Sequence, residues 1–393
     1  MHKINEYKFN IPEYVRFVLN RLFLSGERAY IVGGSLRDML LSKTPNDFDL
    51  ASSAEPQRVC EIFSDMRVIK TGLSHGTVTV LSSGLPIEIT TFRVDGEYLD
   101  MRRPESVVFT RRIEDDLSRR DFTVNAMAYN EIDGLIDLFG GRDDLENKII
   151  RTVGDPYERF SEDALRIMRA FRFSAQLGFD IEEKTLEAAK ILADRLSFIA
   201  KERIFSELLK LICSPYPEKP LMQMRDLGVL SYVFSFFSPS DRAISLLSES
   251  DNDEMSRLAV FFCDTDGERA KKELILLKAS GRLRASSLIV DAAKQTYSSR
   301  EDIAKLRARL SNDADIALRL SVLLGNSQES ALAFLDDTTP FSISQLAIGG
   351  DDLIALGYSG REIGKTLAYL LDEVIKNPSL NNRESLLGMV ERS

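Results

Sequence analysis

Two aspartates stand one residue apart in the run N-D-F-D-L, with Asp47 and Asp49 flanking Phe48. In an extended strand side chains alternate faces, so the two acids would point one way and Phe48 the other. Carboxylates on one face repel each other unless a cation sits between them. Mg²⁺ is commonly held by one or two carboxylates together with substrate phosphates. Residues 29–50 supply the surroundings: A-Y-I-V-G-G-S-L-R-D-M-L-L-S-K-T-P-N-D-F-D-L. A short apolar strand over 30–32 leads into Gly33 and Gly34, and a helix is expected over 35–41. Thr44, Pro45 and Asn46 then turn the chain into a second strand that carries Asp47 and Asp49. The double glycine lets backbone approach a phosphate, and the helix N-terminus after it favours negative charge. Arg37 could reach the same anion. Alone, a D-x-D is commonly a solvated strand end and a G-G before a helix an ordinary turn. In this order and spacing they point to a metal and nucleoside triphosphate site.

The elements that would position this chemistry follow in order. Residues 11–24 have apolar positions at helical spacing behind Pro12. A helix is expected over 55–63 and strands over 68–70, 77–81 and 86–92. Glu88, in the last of these, either adds a third carboxylate able to take a proton from an attacking hydroxyl or is an edge-strand charge. Residues 93–107 are polar, contain Gly96 and Pro104, and read as a long loop of the kind that carries function. In residues 114–128, Arg119, Arg120, Asp121 and Asn125 gather hydrogen-bonding groups beside Phe122 and Val124. A solvated helix end would explain the charges but not Asn125 in an apolar segment. D-L-F-G-G-R-D-D-L, residues 137–145, is a glycine turn between strand and helix.

Beyond Pro156 the pattern turns helical. A helix is expected over 160–177 with Ser161 as its N-cap and Glu162 and Asp163 in the first turn. Asp163, Arg166, Arg169 and Arg172 step at i+3 and form one slowly rotating stripe. Glu162 and Asp163 can pair with Arg166, whereas Arg169 and Arg172 have no acid three or four residues away. The stripe is either a solvated face or a binding face. Further helices are expected over 183–193 and 201–212. The stretch 235–250 is serine-rich and reads as a loop or boundary. Near the C-terminus, G-Y-S-G-R-E-I-G-K, residues 357–365, either holds an RNA phosphate with Arg361 and Lys365 or is an ordinary helix start.

Composition narrows the chemistry. A chain of 393 residues suggests two to four domains, and 44% hydrophobic with 28% charged residues is ordinary for a globular protein. No apolar run reaches the roughly 18–20 residues of a membrane span, and the first ten residues lack a signal-peptide core. Cys60, Cys213 and Cys263 form no C-x-x-C, which fits a reducing cytoplasm and indicates neither zinc nor a disulfide framework. With only His2 and His75, a histidine-rich metal site is excluded, and a Ser-His-Asp or Cys-His system would rest on His75 alone. His75 reads as structural or substrate-positioning. The net charge of −10 argues against generic polyanion binding but leaves room for RNA on a local basic path.

Taken together, the motifs resemble the class II tRNA nucleotidyltransferases, the CCA-adding enzymes, within the nucleotidyltransferase superfamily shared with bacterial poly(A) polymerases. G-G-S-L-R-D with D-F-D is similar to the first family motif, R-R-D-F-T-V-N-A to the second, and D-L-F-G-G-R-D-D-L to the hinge-like third. E-D-A-L-R is similar to the base-selecting fourth, and A-K-E-R-I-F-S-E-L-L-K, residues 200–210, to the fifth. The resemblance covers about the first 210 residues strongly and the rest only weakly, mainly through G-Y-S-G-R-E-I-G.

The resemblance implies an α+β fold: a catalytic head over 1–155, then an all-α neck over 156–213, body over 214–335 and tRNA-binding tail over 336–393. It implies catalytic metals, Mg²⁺-like, on Asp47 and Asp49, and triphosphate contacts from Gly34 and Arg37. Arg120 and Asp121 would bind the ribose, with Asn125 beside them. Asp163 and Arg166 would read the base, supported by Arg169 and Arg172. Partners would be tRNA, CTP and ATP, with no membrane, and the protein a monomer or homodimer. The implied reaction is in-line attack of the tRNA 3′-hydroxyl on the α-phosphate with pyrophosphate leaving, assisted by two metals roughly 4 Å apart.

The base assignment also has a chemical rationale. Cytosine and adenine present an exocyclic amine beside a bare ring nitrogen, which a carboxylate and a guanidinium can satisfy. Guanine and uracil reverse that pattern, and a site built to hydrogen-bond rejects such mismatches by roughly 10⁴-fold. Poly(A) polymerases of this superfamily carry a basic stretch where this chain has K-T-G-L-S-H-G-T-V, and CC-only enzymes lack the loop over 94–107 with its Tyr98, Asp100, Arg102 and Arg103. Both departures favour addition of C, C and A over those rivals. An inactive RNA-binding relative is the alternative from another class, and the intact Asp47, Asp49, Asp163 and Arg166 speak against it.

Overall fold

The computed structural model describes residues 8–73, 76–95 and 107–390. His2, His75, Tyr98, Asp100, Arg102 and Arg103 lie outside the described residues. The chain divides into two compact units, Met1–Val233 and Phe234–Ser393.

The first unit opens with helix α1 (Glu13–Leu24), started at Pro12 and burying Val15, Val18, Leu19 and Leu22. Strand β1 (Ala29–Val32) follows, buried along its whole length, and then α2 (Gly33–Leu40). Gly33 and Gly34 are thus the first residues of the helix, not a turn before it. Next come β2 (Asp49–Ser52), α3 (Pro56–Ile62), β3 (Val68–Ile69), β4 (Thr77–Ser82) and β5 (Leu85–Thr91). Asp47 lies in a bend ahead of β2 and not in the strand, because pairing with β1 begins only at Leu50. The expected alternation survives all the same: Phe48 is buried, and Asp47 and Asp49 on either side of it are exposed.

The ends of the polar loop expected over 93–107 are strands. β6 (Arg93–Asp95) and β7 (Val107–Phe109) pair antiparallel as a separate ribbon, and residues 96–106 lie outside the described residues. Then come α4 (Ile113–Ser118), a 3₁₀ turn at Thr123–Asn125, β8 (Met127–Asn130), β9 (Gly134–Asp137) and α5 (Gly141–Asn147). The main sheet runs β3-β4-β5-β2-β1-β8-β9 and is antiparallel except for the parallel pair β2–β5. Its head core joins Tyr30, Val32, Ala51, Phe92, Ile113, Leu117, Ala128 and Ile136. In β4 and β5, Val78, Val80, Ile87 and Ile89 are buried, while on the other face Thr77, Thr79 and Thr90 are half-buried and Glu88 is exposed.

After β10 (Ile149–Ile150) the expected single helix over 160–177 is two. α6 (Pro156–Glu162) starts at Asp155, whose carboxylate accepts from the Tyr157 N–H, with Pro156 in its first turn. That earlier start puts Ser161 inside α6, where it caps nothing. The chain becomes extended at Asp163 (φ −141°), and α7 (Leu165–Leu177) begins anew. The Asp163 carboxylate accepts the Leu165 N–H at 3.0 Å and so caps the second helix. After β11 (Asp180–Ile181) come α8 (Glu183–Ile191), a 3₁₀ turn (Ala193–Phe198) and α9 (Lys201–Ile212), which packs on α7; Glu218–Asp226 and Leu230–Val233 complete the unit.

Among the described residues the second unit is all helix and turn. Phe234, Phe237, Phe261 and Phe262 stack with ring centroids 4.5–6.0 Å apart near its start. A smaller apolar cluster, Ile348, Leu353, Leu367, Leu370, Val374, Leu386 and Val390, closes its end. The helix Arg361–Lys376 starts after Gly360, whose φ of +56° is one that glycine adopts readily.

Candidate active site

Asp49 opens β2, and the parallel register sets it directly opposite Glu88 on β5. Asp47 precedes it on the same side of buried Phe48. Among the described residues no three acidic, histidine or cysteine side chains are arranged as a ready-made metal cage. Two carboxylates completed by substrate phosphates need no such cage. Partial desolvation of its carboxylate, then the charges of Asp47 and Glu88, push the Asp49 pKa up to about 6, against the opposing charge of Arg120. A carboxyl group crowded by two others is what a divalent cation relieves, so the donor set fits one.

Gly33 has φ +68°, and a Cβ built on it would lie 3.3 Å from Nη1 of Arg120. The backbone therefore favours glycine there, and the guanidinium beside it leaves a side chain little room. Arg37 is 4% exposed: its Nη1 donates to the Asn125 side-chain oxygen at 2.9 Å, and Nε and Nη2 donate to Asp38. Asn125, puzzling in an apolar segment, is thus the buried acceptor for Arg37. A Cβ on Gly34 would lie 3.6 Å from Nη2 of Arg37, so this guanidinium lies close beside the start of α2.

The segment after α4 ties the head to α7. Asp121 accepts from Nε of Arg169 at 2.7 Å and from the Phe122 N–H at 2.9 Å. Burial pushes the Asp121 pKa up, but Arg169 and Arg166 overcome it and hold the group below the usual carboxylate range. Arg166 is 8% exposed, and three of its five N–H donors are engaged, by the Arg159 and Arg119 carbonyls and by Glu162. Asp163 accepts from Nη2 of Arg203 at 3.2 Å as well as from the Leu165 N–H. Arg172 forms an ion pair with Glu207 of α9 at 2.6 Å. The stripe is therefore not a solvated face: Arg169 and Arg172 find acids that arrive from other elements.

Four residues of this frame escaped sequence reasoning. Asp116 is fully buried and pairs with both Arg119 and Arg120. Glu207 and Arg203 lie in the fifth motif, where spacing on α9 alone does not reveal their partners. Phe173 has the guanidinium carbons of Arg172, Arg169 and Arg37 at 3.9, 5.3 and 5.6 Å from its ring centre. The signal was available: an aromatic residue adjacent to an arginine stripe.

Comparison with known proteins bears on this arrangement. The model of the poly A polymerase head domain matches residues 29–151, and that of the probable RNA and SrmB-binding site of polymerase A matches residues 178–240. The CCA-adding enzyme of Pediococcus pentosaceus is 37% identical over 391 residues, covering 97% of this chain and 98% of that protein. The chain belongs to the CCA-adding enzymes. The CCA-adding enzyme of Streptococcus gordonii is 45% identical over 259 residues, 66% of this chain and 62% of its own length. In four streptococcal relatives the match spans 54% to 62% of their length. The solved structure of the Bacillus stearothermophilus CCA-adding enzyme in complex with CTP superposes with a TM-score of 0.80 at 28% identity, covering 97% of this chain and 98% of that one. The α+β fold is that of the CCA-adding family, whose nucleotidyltransferase head implies a divalent cation. No described helix is long and apolar enough to cross a membrane.

Proposed function

We propose that this protein adds C, C and A to the 3′ end of tRNA from CTP and ATP, with no nucleic-acid template. Membership of the CCA-adding family over nearly the whole chain supports the reading. The observation that carries it in this molecule is the ion pair of Asp121 with Arg169, which ties the segment holding Arg120, whose charge acts on Asp49, to the arginine helix. Chemistry and base choice would then share one rigid frame. The head (1–155), neck (156–213), body (214–335) and tail (336–393) would divide the labour as catalysis, selection, support and tRNA grip.

Asp47 and Asp49 would hold Mg²⁺, a compact ion that takes carboxylate and phosphate oxygens. Bound there, such an ion lowers the pKa of the attacking hydroxyl and neutralises charge building on the phosphates. Glu88, opposite Asp49, would accept the proton of the tRNA 3′-hydroxyl as that oxygen attacks the α-phosphate in line and pyrophosphate departs. Gly34, at the start of α2, would admit the triphosphate close to backbone. Arg37, fixed by Asn125, would add positive charge beneath it. Arg120 and Asp121 would take the ribose.

Asp163 would accept from the amine of cytosine or adenine through lone pairs left beyond Arg203 and Leu165. Arg166 would donate from its Nε–Nη2 edge, where two N–H groups remain beyond its three bonds, to the bare ring nitrogen. Arg169 and Arg172 would hold α7 in place. The segment over 94–107 would switch the pocket from CTP to ATP; its deletion is expected to spare CC addition and abolish the A step.

The test uses tRNA transcripts lacking CCA, labelled at the 5′ end, with Mg²⁺ and CTP, ATP or both. Growth by two with CTP and by three with both is the expected result. Arrest at two with both nucleotides would make this a CC-adding enzyme. A long ladder with ATP alone would make it a poly(A) polymerase, and no growth an RNA-binding relative.

A further inference from the structure

Asp116 is 0% exposed, whereas Glu114 and Asp115 on the same helix are only half-buried. Removing a carboxylate from water costs several kcal/mol unless partners replace the water. Here both oxygens are occupied. Oδ1 accepts from Nε and Nη2 of Arg119 at 3.0 and 2.7 Å; Oδ2 accepts from Nη2 and Nε of Arg120 at 3.1 and 3.4 Å. One arginine would neutralise the charge. Two consecutive arginines converge on it, leaving an excess positive charge beside an acidic cleft.

The direction of that charge is specific. Nη1 of Arg120 donates to the Asn125 carbonyl at 3.3 Å and lies where a Cβ on Gly33 would come within 3.3 Å. A guanidinium fixed through Nε and Nη2 on one edge and through Nη1 on the other has little rotamer freedom left. Its position at the start of α2, from which its charge acts on Asp49, is thus set by Asp116 on one edge and the Asn125 carbonyl on the other. Arg119, the other partner, offers its carbonyl to Nη2 of Arg166 at 3.2 Å, so the same segment also touches the base-reading side.

We infer that Asp116 is a positioning residue that aims Arg120 at the ribose of the incoming nucleotide and thereby sets the preference for ribonucleotides over 2′-deoxyribonucleotides. The inference rests on the reading of Arg120 as a ribose contact. Asp116→Asn keeps the volume and one acceptor, but turns an N–H₂ group toward one of the two guanidinium groups.

The experiment compares kcat/KM for CTP against dCTP, and for CTP against UTP, on tRNA lacking CCA. Wild type, Asp116→Asn, Arg120→Ala, Arg120→Lys and the double variant Asp116→Asn/Arg120→Ala are measured. The CTP:dCTP ratio is expected to fall about tenfold in Asp116→Asn, the factor one ordinary hydrogen bond represents. It should fall at least as far in Arg120→Ala and no further in the double variant. The CTP:UTP ratio should hold, because general loosening of the segment would release Arg166 and lower both ratios together.

Arg120→Lys keeps the charge but cannot be gripped at two nitrogens by one carboxylate. A fall in its CTP:dCTP ratio supports the proposal even if Asp116→Asn fails to fold, and an unchanged ratio in Arg120→Lys overturns it. A ratio that falls in Arg120→Ala but not in folded Asp116→Asn overturns the role of Asp116 and leaves the ribose contact standing. A ratio unmoved in Arg120→Ala removes the ribose contact itself.

Discussion

The two charged regions of the first unit are built on opposite rules. In the cleft, Asp47, Asp49 and Glu88 crowd like charges together, and the Asp49 pKa is raised to about 6. Along α7, every arginine of the stripe meets an acid or a carbonyl: Arg166 with Glu162, Arg169 with Asp121, Arg172 with Glu207. Burial lowers the Arg172 pKa, with Glu207 opposing it, while Asp121 raises that of Arg169. The first region carries like-charge repulsion that a bound cation would relieve. In the second, the charges are already paired within the fold. Neutralising one acid should therefore have opposite consequences for stability in the two places.

The sharpest break of that contrast is Asp49→Asn. It should lower nucleotide incorporation by at least on the order of 10²–10³-fold, as removing one charged group aimed at a transition state does. Its metal-free melting temperature should equal or exceed that of wild type. A large loss of stability would mean that Asp49 belongs to the frame. Asp121→Asn should do the reverse to the fold: Arg169 loses its charge partner, and urea denaturation should register a loss of about 3 kcal/mol. A neutral result there would make the Asp121–Arg169 pair dispensable. Glu207→Gln keeps an acceptor for Arg172, and about 1–2 kcal/mol of destabilisation in the same assay is expected.

The smallest effect concerns pH. A carboxyl group with a raised pKa binds protons more tightly in the folded state than in the unfolded chain. Its contribution to stability is thus complete below about 4 and lost as pH rises through about 6. A divalent cation competes with that proton. The rise in melting temperature on adding Mg²⁺ should grow between pH 5 and pH 8, and a rise independent of pH would detach the cation from Asp49.

The sequence makes these regions legible to different degrees, for physical reasons. The alternation of Asp47, Phe48 and Asp49 follows from the two-residue period of extended chain, and it persists although β2 starts two residues later than Asp47. The arginine stripe follows from helical spacing. Its partners do not, because Asp121 lies 48 residues from Arg169 and Glu207 comes from another helix; only tertiary packing joins them. The break between α6 and α7 was obscured by two competing start signals, Asp155 with Pro156 and Ser161 with Glu162, of which the first prevails. Asn125 looked out of place by hydropathy because its partner, Arg37, is 88 residues away.

The central claim is that protein side chains alone choose the nucleotide. The most direct measurement is the ratio of CTP to UTP incorporation on tRNA lacking CCA, for wild type against Asp163→Ala and Arg166→Ala. Wild type should prefer CTP by roughly 10⁴-fold, and each variant should lose most of that preference. A variant that still incorporates CTP and excludes UTP as strongly as wild type would contradict the account.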